Sequence, residues 1–296
     1  MMTKILITGG TGLVGKHLSK ELKAKGYEVA ILSRNPKQEN EYKWDISNDY
    51  IDEKALKNTS YIIHLAGAGI VEKRWTNKRK KILINSRVDS ANLLFKKTKE
   101  FNIPLKGFIS ASGIGYYGGI TSNIIFTETD APKNDFISKI CVAWENAAEQ
   151  FESINIPVTI LRTGVVLSKK GGALKKMNTP LFLSILGTGK QFMPWIHIED
   201  LSNLFIKAIE DNNFKGIFNT VAPNEDTNSS FTKALAKVLK KLVLPIHAPS
   251  FVLKLILGEL AIILLKGSRV SSKKITKQYQ FKFNNLTDAL KDIYTL

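Results

Sequence analysis

Cysteine is almost missing from this chain: 296 residues contain one, Cys141. An internal disulfide is therefore excluded, and such sparing use of thiols fits a reducing compartment. Histidine is also scarce. His17, His64, His197 and His247, together with Cys141, show no metal-ligand spacing, so no metal site is expected. Long apolar runs are missing as well. The most apolar stretch, residues 251–265, carries Lys254 and Glu259 inside it. At a rise of about 1.5 Å per residue it is too short to cross a bilayer. It reads as a buried or interface helix, with peripheral membrane contact as the weaker alternative. No secretory leader is expected, because a β-run already begins at Lys4. These absences point to a cytoplasmic chain without a transmembrane segment.

Carboxylates are under-represented too, with 26 against 43 basic residues and a net charge of +17. Within that excess arginine is rare: six arginines stand beside 37 lysines. Base readout and bidentate phosphate contacts lean on arginine, and no helix-turn-helix, zinc-finger or RNA-binding pattern is present. No specific nucleic-acid partner is expected, and any such binding should be weak and salt-sensitive. One dense cluster runs from Lys73-Arg74-Trp75 to Lys78-Arg79-Lys80-Lys81. It reads as the solvated start of a helix, or as a positive rim drawing a small anionic substrate toward a cleft.

What is present is concentrated in residues 4–16, K-I-L-I-T-G-G-T-G-L-V-G-K. The apolar run Ile5, Leu6 and Ile7 predicts a strand. Gly10, Gly12 and Gly15 supply G-x-G-x-x-G, and a helical pattern (Leu13, Val14, Leu18, Leu22) follows at once. In that context the glycines permit a tight strand-to-helix turn, close approach of a pyrophosphate, and close packing of helix on strand. The helix N-terminus then faces the anion. Beyond this loop, β and α signals alternate. Strands are predicted at 28–33, 61–65, 107–111, 158–162 and 216–221, and helices at 80–99, at 135–153 and from Glu199. The fold class is α/β: a Rossmann-type, doubly wound parallel sheet with a smaller, mainly helical C-terminal lobe. The expected division is a dinucleotide-binding part over 1–166 and 196–222, and a lobe over 167–195 and 223–296.

The end of the second strand bears on cofactor choice. In NAD sites an acidic residue about 20 positions past the glycines accepts from the ribose 2′-OH; in NADP sites an arginine takes the 2′-phosphate. Here that place reads Ser33-Arg34, with no carboxylate. NADP(H) is favoured over NAD(H).

Several motifs taken together resemble extended short-chain dehydrogenase/reductases of the nucleotide-sugar epimerase group. They are the TGGTGLVG loop, His64-Leu65-Ala66-Gly67, Ile109-Ser110-Ala111-Ser112, and Tyr116-Tyr117-Gly118. Lys73-Arg74-Trp75-Thr76, Asn85-Ser86-Arg87, Trp144-Glu145, the run from Leu161-Arg162 to Leu167, Trp195-Ile196-His197, and Leu257-Gly258-Glu259-Leu260 resemble the atypical YfcH-like branch with its small C-terminal domain. The resemblance spans essentially the whole chain. It implies a cofactor site built from Gly9, Gly10, Thr11, Gly12, Leu13, Val14, Ser33, Arg34, Asp45, Leu65, Ala66, Gly67 and Ser110.

Working members of that superfamily pair a Tyr with a Lys four residues on, on one helical face. Lys lowers the Tyr pKa, so that Tyr passes a proton while hydride moves. Matching the helix through Glu145 puts Ile137 and Cys141 at those positions, and neither can do acid–base work. Tyr50 and Lys54 do have the right spacing, but roughly one such match is expected by chance, and it falls on the adenine side. Lys139 has Asp135, not tyrosine, one turn away. The candidate catalytic groups left are Ser112, which could bond a substrate carbonyl; Tyr116 or Tyr117 as proton donor; and Arg87 as an anion clamp. Cys141 reads as apolar filler rather than as a nucleophile, and Ser112, His197 and Asp200 are not expected to form a hydrolytic triad. Two functions survive: an NADP(H)-dependent oxidoreductase or epimerase-like enzyme with an unconventional proton donor, or an NADP(H)-binding regulatory protein without turnover. A homodimer is permitted but not specified.

Overall fold

The computed structural model describes residues 2–294. Eight strands make one sheet: β1 (Lys4–Thr8), β2 (Glu28–Ser33), β3 (Glu41–Asp45), β4 (Tyr50–Ile51), β5 (Thr59–His64), β6 (Gly107–Gly113), β7 (Val158–Thr163) and β8 (Gly216–Thr220). Their spatial order is β8-β7-β6-β5-β1-β2-β3-β4, parallel throughout except for the β3–β4 pair. Strand order reverses between β1 and β5, which places a crevice at the carboxyl ends of those two strands.

Alternation along each strand sends side chains to opposite faces. Ile5, Ile7, Ile31 and Ile63 pack with Leu18 and Leu22 of helix α1 (Leu13–Ala24). Leu6, Leu32, Ile62 and Phe108 pack on the other face with Leu93 and Leu94 of α2 (Asn77–Glu100) and with Ala148 of α3 (Phe136–Glu149). Leu201, Leu204 and Phe205 of α4 (Ile198–Glu210) join the first face. The sheet is doubly wound, as expected. A third apolar cluster gathers Leu167, Leu183 and Trp195 with Phe231 and Leu235 of α5 (Asn228–Leu239). Leu286 and Leu290 of the last helix, Leu286–Tyr294, complete it.

Asp200 holds the C-terminal segment onto this body. Buried at the start of α4, it accepts from the Tyr279 hydroxyl at 2.8 Å and from the N–H groups of Lys282 and Phe283 at 2.8 and 3.1 Å. His197 ends a short strand (Trp195–His197) and caps α4, its Nδ1 accepting the Glu199 N–H at 3.3 Å.

Three expectations are corrected. Residues 251–265, expected as one buried or interface helix, are not a single helix. A helix covers Ser250–Leu257, Gly258 takes φ +62°, and a 3-10 turn (Gly258–Ala261) and a short helix (Ile262–Leu265) follow. The first of these helices has no buried residue. The helix expected over 135–153 ends at Glu149 and tightens into a 3-10 turn, Gln150–Ile154, closed by left-handed Asn155. Strands β3 and β4 extend the sheet where none was expected. No helix among the described residues is long and apolar enough to cross a membrane.

Candidate functional site

The glycine loop is built as its sequence demands. Gly9 leaves β1 with φ +67°, a left-handed backbone that favours glycine, and its carbonyl accepts the Gly12 N–H at 3.0 Å. A Cβ on Gly15 would lie 2.4 Å from the Gly9 oxygen, so the first turn of α1 tolerates no side chain there. No side chain caps α1, whose N-cap is Gly12. Its first N–H groups are thus offered to an anion, in the positive field of the helix dipole. Thr8 Oγ1 accepts the N–H groups of both Leu65 and Ala66 at 3.1 Å. That pair of bonds ties the end of β5 to the loop, so Gly9, Gly10, Thr11, Gly12, Leu13 and Val14 share one end of the sheet with Leu65, Ala66 and Gly67. The residues present fit a dinucleotide pyrophosphate.

At the same edge, Ser33 closes β2 and Arg34 is exposed just beyond it. Asp45 closes β3, and its carboxylate organises the following turn. It accepts from the N–H groups of Ser47 and Asn48 at 3.0 and 3.3 Å and from the Asn48 side chain at 2.8 Å. The Asn48 bond leads in holding the Asp45 carboxyl below its usual range. Ser110 is fully buried and donates to the Ala111 carbonyl at 3.0 Å.

The four candidate catalytic residues fall into different situations. Ser112 is buried and donates to Glu145 Oε1 at 2.6 Å. The same carboxylate receives Arg162 through Nε at 2.9 Å and through its second nitrogen at 2.7 Å. Arg162 also donates to the Tyr117 hydroxyl at 2.9 Å, which in turn donates to Asn219 at 2.7 Å. Burial pushes the Tyr117 hydroxyl up to about 12. Tyr117 is therefore a core residue within a closed network. Tyr116 is only half-buried, with the Arg162 guanidinium 3.4 Å from its ring centroid. The Ser112 proton is already engaged, so this hydroxyl has no free proton to donate to a carbonyl.

Arg87 is buried beside the β5 loop. It donates to the carbonyls of Leu83 and Ala68 at 2.7 and 3.2 Å, and its guanidinium lies 4.8 Å from the Trp144 ring. Its Nε has no partner among the described residues. Burial lowers its pKa to about 10, which leaves it cationic at neutral pH. A Cβ on Gly67 would stand 2.8 Å from the guanidinium carbon, so this fixed charge lies directly against Gly67. Trp144 donates to His64 Nδ1 at 3.0 Å, and His64 Nε2 meets Ser90 Oγ at 2.8 Å. Burial, then the charge of Arg87, drive the His64 pKa down to about 3, so it is a neutral structural link.

Ile137 and Cys141 face the end of β6. A Cβ on Gly115 would come within 2.2 Å of Ile137 Cγ2 and 3.5 Å of Cys141 Sγ. Ile137 packs beside Ile140, Trp75, Leu83 and Leu260. Burial, with the Glu145 charge second, pushes the Cys141 thiol up to about 12. Tyr50 sits in β4, at the far edge of the sheet from β6 and β7. Ser112, His197 and Asp200 do not assemble: Ser112 belongs to the Glu145 network, Asp200 to the C-terminal clamp, and His197 packs on Phe283 at 4.0 Å between ring centroids. His197, Glu199 and Asp292 do bring donor atoms within 4.8 Å of one another. Because His197 Nδ1 accepts from Glu199, its proton is assigned to Nε2, 3.5 Å from Asp292, which leaves that nitrogen no lone pair for a metal.

Glu145 and Arg162 were recognised in the sequence only as parts of motifs, without a role. The signal was an arginine at the end of the apolar strand Val158–Thr163, since a buried charge requires a partner.

Comparisons with known proteins agree with this architecture. Residues 5–221 match the NAD dependent epimerase/dehydratase family, and residues 248–293 match a domain of unknown function, DUF1731. An epimerase family protein of Staphylococcus aureus is 36% identical over 302 residues, covering 99% of both chains. The mouse epimerase family protein SDR39U1 is 33% identical, covering 98% of this chain and 99% of its own. The crystal structure of human SDR39U1 with NADPH superposes with a TM-score of 0.85 at 29% identity, covering 99% of this chain and 100% of that one. A UDP-glucuronic acid 4-epimerase from Bacillus cereus, solved with UDP-glucuronic acid and NAD, shares the fold at a TM-score of 0.76 and 20% identity. With its glycine loop, its doubly wound sheet and its C-terminal DUF1731 segment, the chain belongs to the NAD-dependent epimerase/dehydratase family.

Proposed function

We propose that this protein is an NADP(H)-dependent oxidoreductase or epimerase-like enzyme in which Tyr116, rather than a helical Tyr–Lys pair, handles the proton. The observation that carries the reading is the uncapped, side-chain-free turn between β1 and α1, followed at the end of β2 by Ser33-Arg34 in place of a carboxylate. The loop and the first N–H groups of α1 hold the pyrophosphate. Ser33 and Arg34 hold the ribose 2′-phosphate, which a carboxylate at that place would repel. Asp45, Leu65, Ala66 and Gly67 line the remaining cofactor wall, whereas Ser110, expected there, is fully buried in β6. When bound, NADP(H) supplies hydride exchange at its nicotinamide ring.

The chain's own residues set up the rest. Arg87 offers a fixed positive charge to an anionic substrate group or a developing oxyanion. Ser112, its proton held by Glu145, accepts a hydrogen bond from substrate. Arg162 against the face of Tyr116 fixes that ring at the cleft and leaves its hydroxyl to exchange a proton. The dinucleotide-binding part takes residues 1–166 and 196–222, and residues 167–195 and 223–296 form the lobe that contributes the substrate side. The test is NADPH oxidation against a panel of carbonyl compounds and nucleotide sugars. Tyr116→Phe should lower turnover at least about tenfold while NADPH affinity stays within a few-fold. Turnover untouched by that change removes Tyr116 from the role.

One observation favours a second reading, cofactor binding without turnover. Ile137 and Cys141 are apolar and Ser112 is engaged, so the face opposite Tyr116 lacks an acid–base pair. Tight NADPH binding with no turnover on any member of the panel would select it.

A further inference from the structure

Two carboxylate-free segments of the chain meet on one surface. Neither residues 153–198 nor residues 227–258 contain an Asp or Glu. They pair as parallel strands, Phe182 opposite Leu242 and Leu183 opposite Val243, and an isolated bridge joins Leu186 to Ala248. Helix α6 (Ser250–Leu257) begins directly afterwards. This surface is apolar as well as basic. Leu181, Leu242, Ile246 and Leu255 are each more than three-quarters exposed, and Phe251 is 71% exposed. Lys233, Lys237, Lys240 and Lys254 are exposed in the same acid-free stretch. The turn that follows α6 is anchored, with Leu260 buried against Trp75, Leu83 and Ile140.

We propose that this face docks the protein on an anionic lipid bilayer, with Phe251, Leu255 and Ile246 entering the headgroup boundary and the lysines meeting lipid phosphates. The combination of chemistries selects the occupant. A second copy seated on the same face would set lysine against lysine, since the neighbouring carboxylate, Glu259, is already paired with Lys80. A nucleic acid would use the charge but leave Leu242, Ile246 and Leu255 without apolar partners. A bilayer with anionic headgroups takes both, as interfacial helices with Lys and Phe/Leu faces do. Lys254 lies within α6 itself, one turn from Phe251 and beside Leu255, so its stem can lie along the apolar face while its ammonium reaches the phosphates.

The experiment is co-sedimentation of the full chain with vesicles of phosphatidylcholine alone and of phosphatidylcholine with phosphatidylglycerol. Binding should require phosphatidylglycerol and weaken at least tenfold between 50 and 500 mM salt. Phe251→Ser with Leu255→Ser should weaken it at least tenfold, as should Lys240→Gln with Lys254→Gln. None of these side chains is buried, and unchanged NADPH affinity in each variant verifies the fold. Absence of binding to the anionic vesicles at low salt overturns the proposal. So does a concentration-dependent dimer, seen by sedimentation velocity, that the Phe251→Ser, Leu255→Ser variant abolishes. Because the readout is lipid binding, a failure here is separate from any failure of the cofactor assignment.

Discussion

Replacing Arg162 by Met should cost about 3–5 kcal/mol of folding stability, because it strands a buried carboxylate. Glu145 is 3% exposed and takes three bonds: one from Ser112 and two from Arg162. Methionine keeps much of the arginine stem's volume but removes both charge-assisted bonds, so Ser112 alone faces the charge. The Tyr117 hydroxyl loses its donor as well. Against a typical total of about 5–15 kcal/mol, a loss of this size is visible in any denaturation assay. Glu145→Leu combined with Arg162→Met removes the stranded charge. What remains unmet is the Ser112 hydroxyl, worth about 1 kcal/mol, and the Glu128 carbonyl that Arg162 reached at 3.3 Å, since Tyr117 still donates to Asn219. The double variant should therefore recover about 2 kcal/mol or more of the single loss, read as a coupling energy from urea midpoints at unchanged slope. An Arg162→Met loss below about 1 kcal/mol, or additive effects in the pair, would refute the assignment of Glu145 and Arg162 as one charged unit.

Calorimetry should find NADPH bound at least about tenfold more tightly than NADH, about 1.4 kcal/mol, with Arg34→Ala erasing most of that margin; equal affinities in the wild type contradict it. Cys141, its thiol raised to about 12 by burial, should resist alkylation at pH 8 in the folded protein and react on unfolding, whereas prompt native labelling would reveal an accessible thiolate. His64 is held near 3 against about 6.5 when unfolded, so the unfolded chain binds the extra proton between those values. Its contribution to stability is complete above pH 6.5 and is lost as pH falls toward 3. Between pH 6.5 and 5 the wild type should lose about 1.6 kcal/mol more than His64→Gln, and parallel pH profiles would count against a buried neutral imidazole.

The cofactor end of the fold was legible because its determinants are local. Strand, glycines and helix follow one another within residues 4–16, and the close contacts that exclude a side chain at Gly15 arise inside that stretch. Strand β3, Glu-Tyr-Lys-Trp-Asp, was not legible because it lies near the sheet edge, where only Trp44 is buried and no apolar run is required. The break at Gly258 was missed for a different reason. Hydrophobicity alone reports neither exposure nor a positive φ, and the residues of α6 are apolar yet unburied. Ser112, Tyr116 and Tyr117 stand close together in sequence, but what separates their surroundings is distant in sequence. Glu145, Arg162 and Asn219 lie 33 to 102 residues from the side chains they engage.

The altered helix face and the buried ion pair follow from one charge balance. Cys141 and Glu145 stand one turn apart on α3, so a lysine in place of Cys141 would lie within reach of the Glu145 carboxylate. That carboxylate is already neutralised by Arg162 of β7, through two bonds below 3 Å. A second cation at position 141 would compete for it while also facing Arg87, whose charge already bears on the Cys141 site. A tyrosine at 137 meets a steric obstacle instead, since Ile137 is packed so tightly on Gly115 that even a Cβ there would overlap it. An apolar pair is what this pocket can hold once Arg162 is the partner of Glu145 and Arg87 lies against Trp144. The consequence reaches the cleft: the guanidinium that balances Glu145 also lies against the Tyr116 ring. On the reading proposed above, the arginine that occupies the Glu145 carboxylate therefore also positions the hydroxyl assigned to proton exchange.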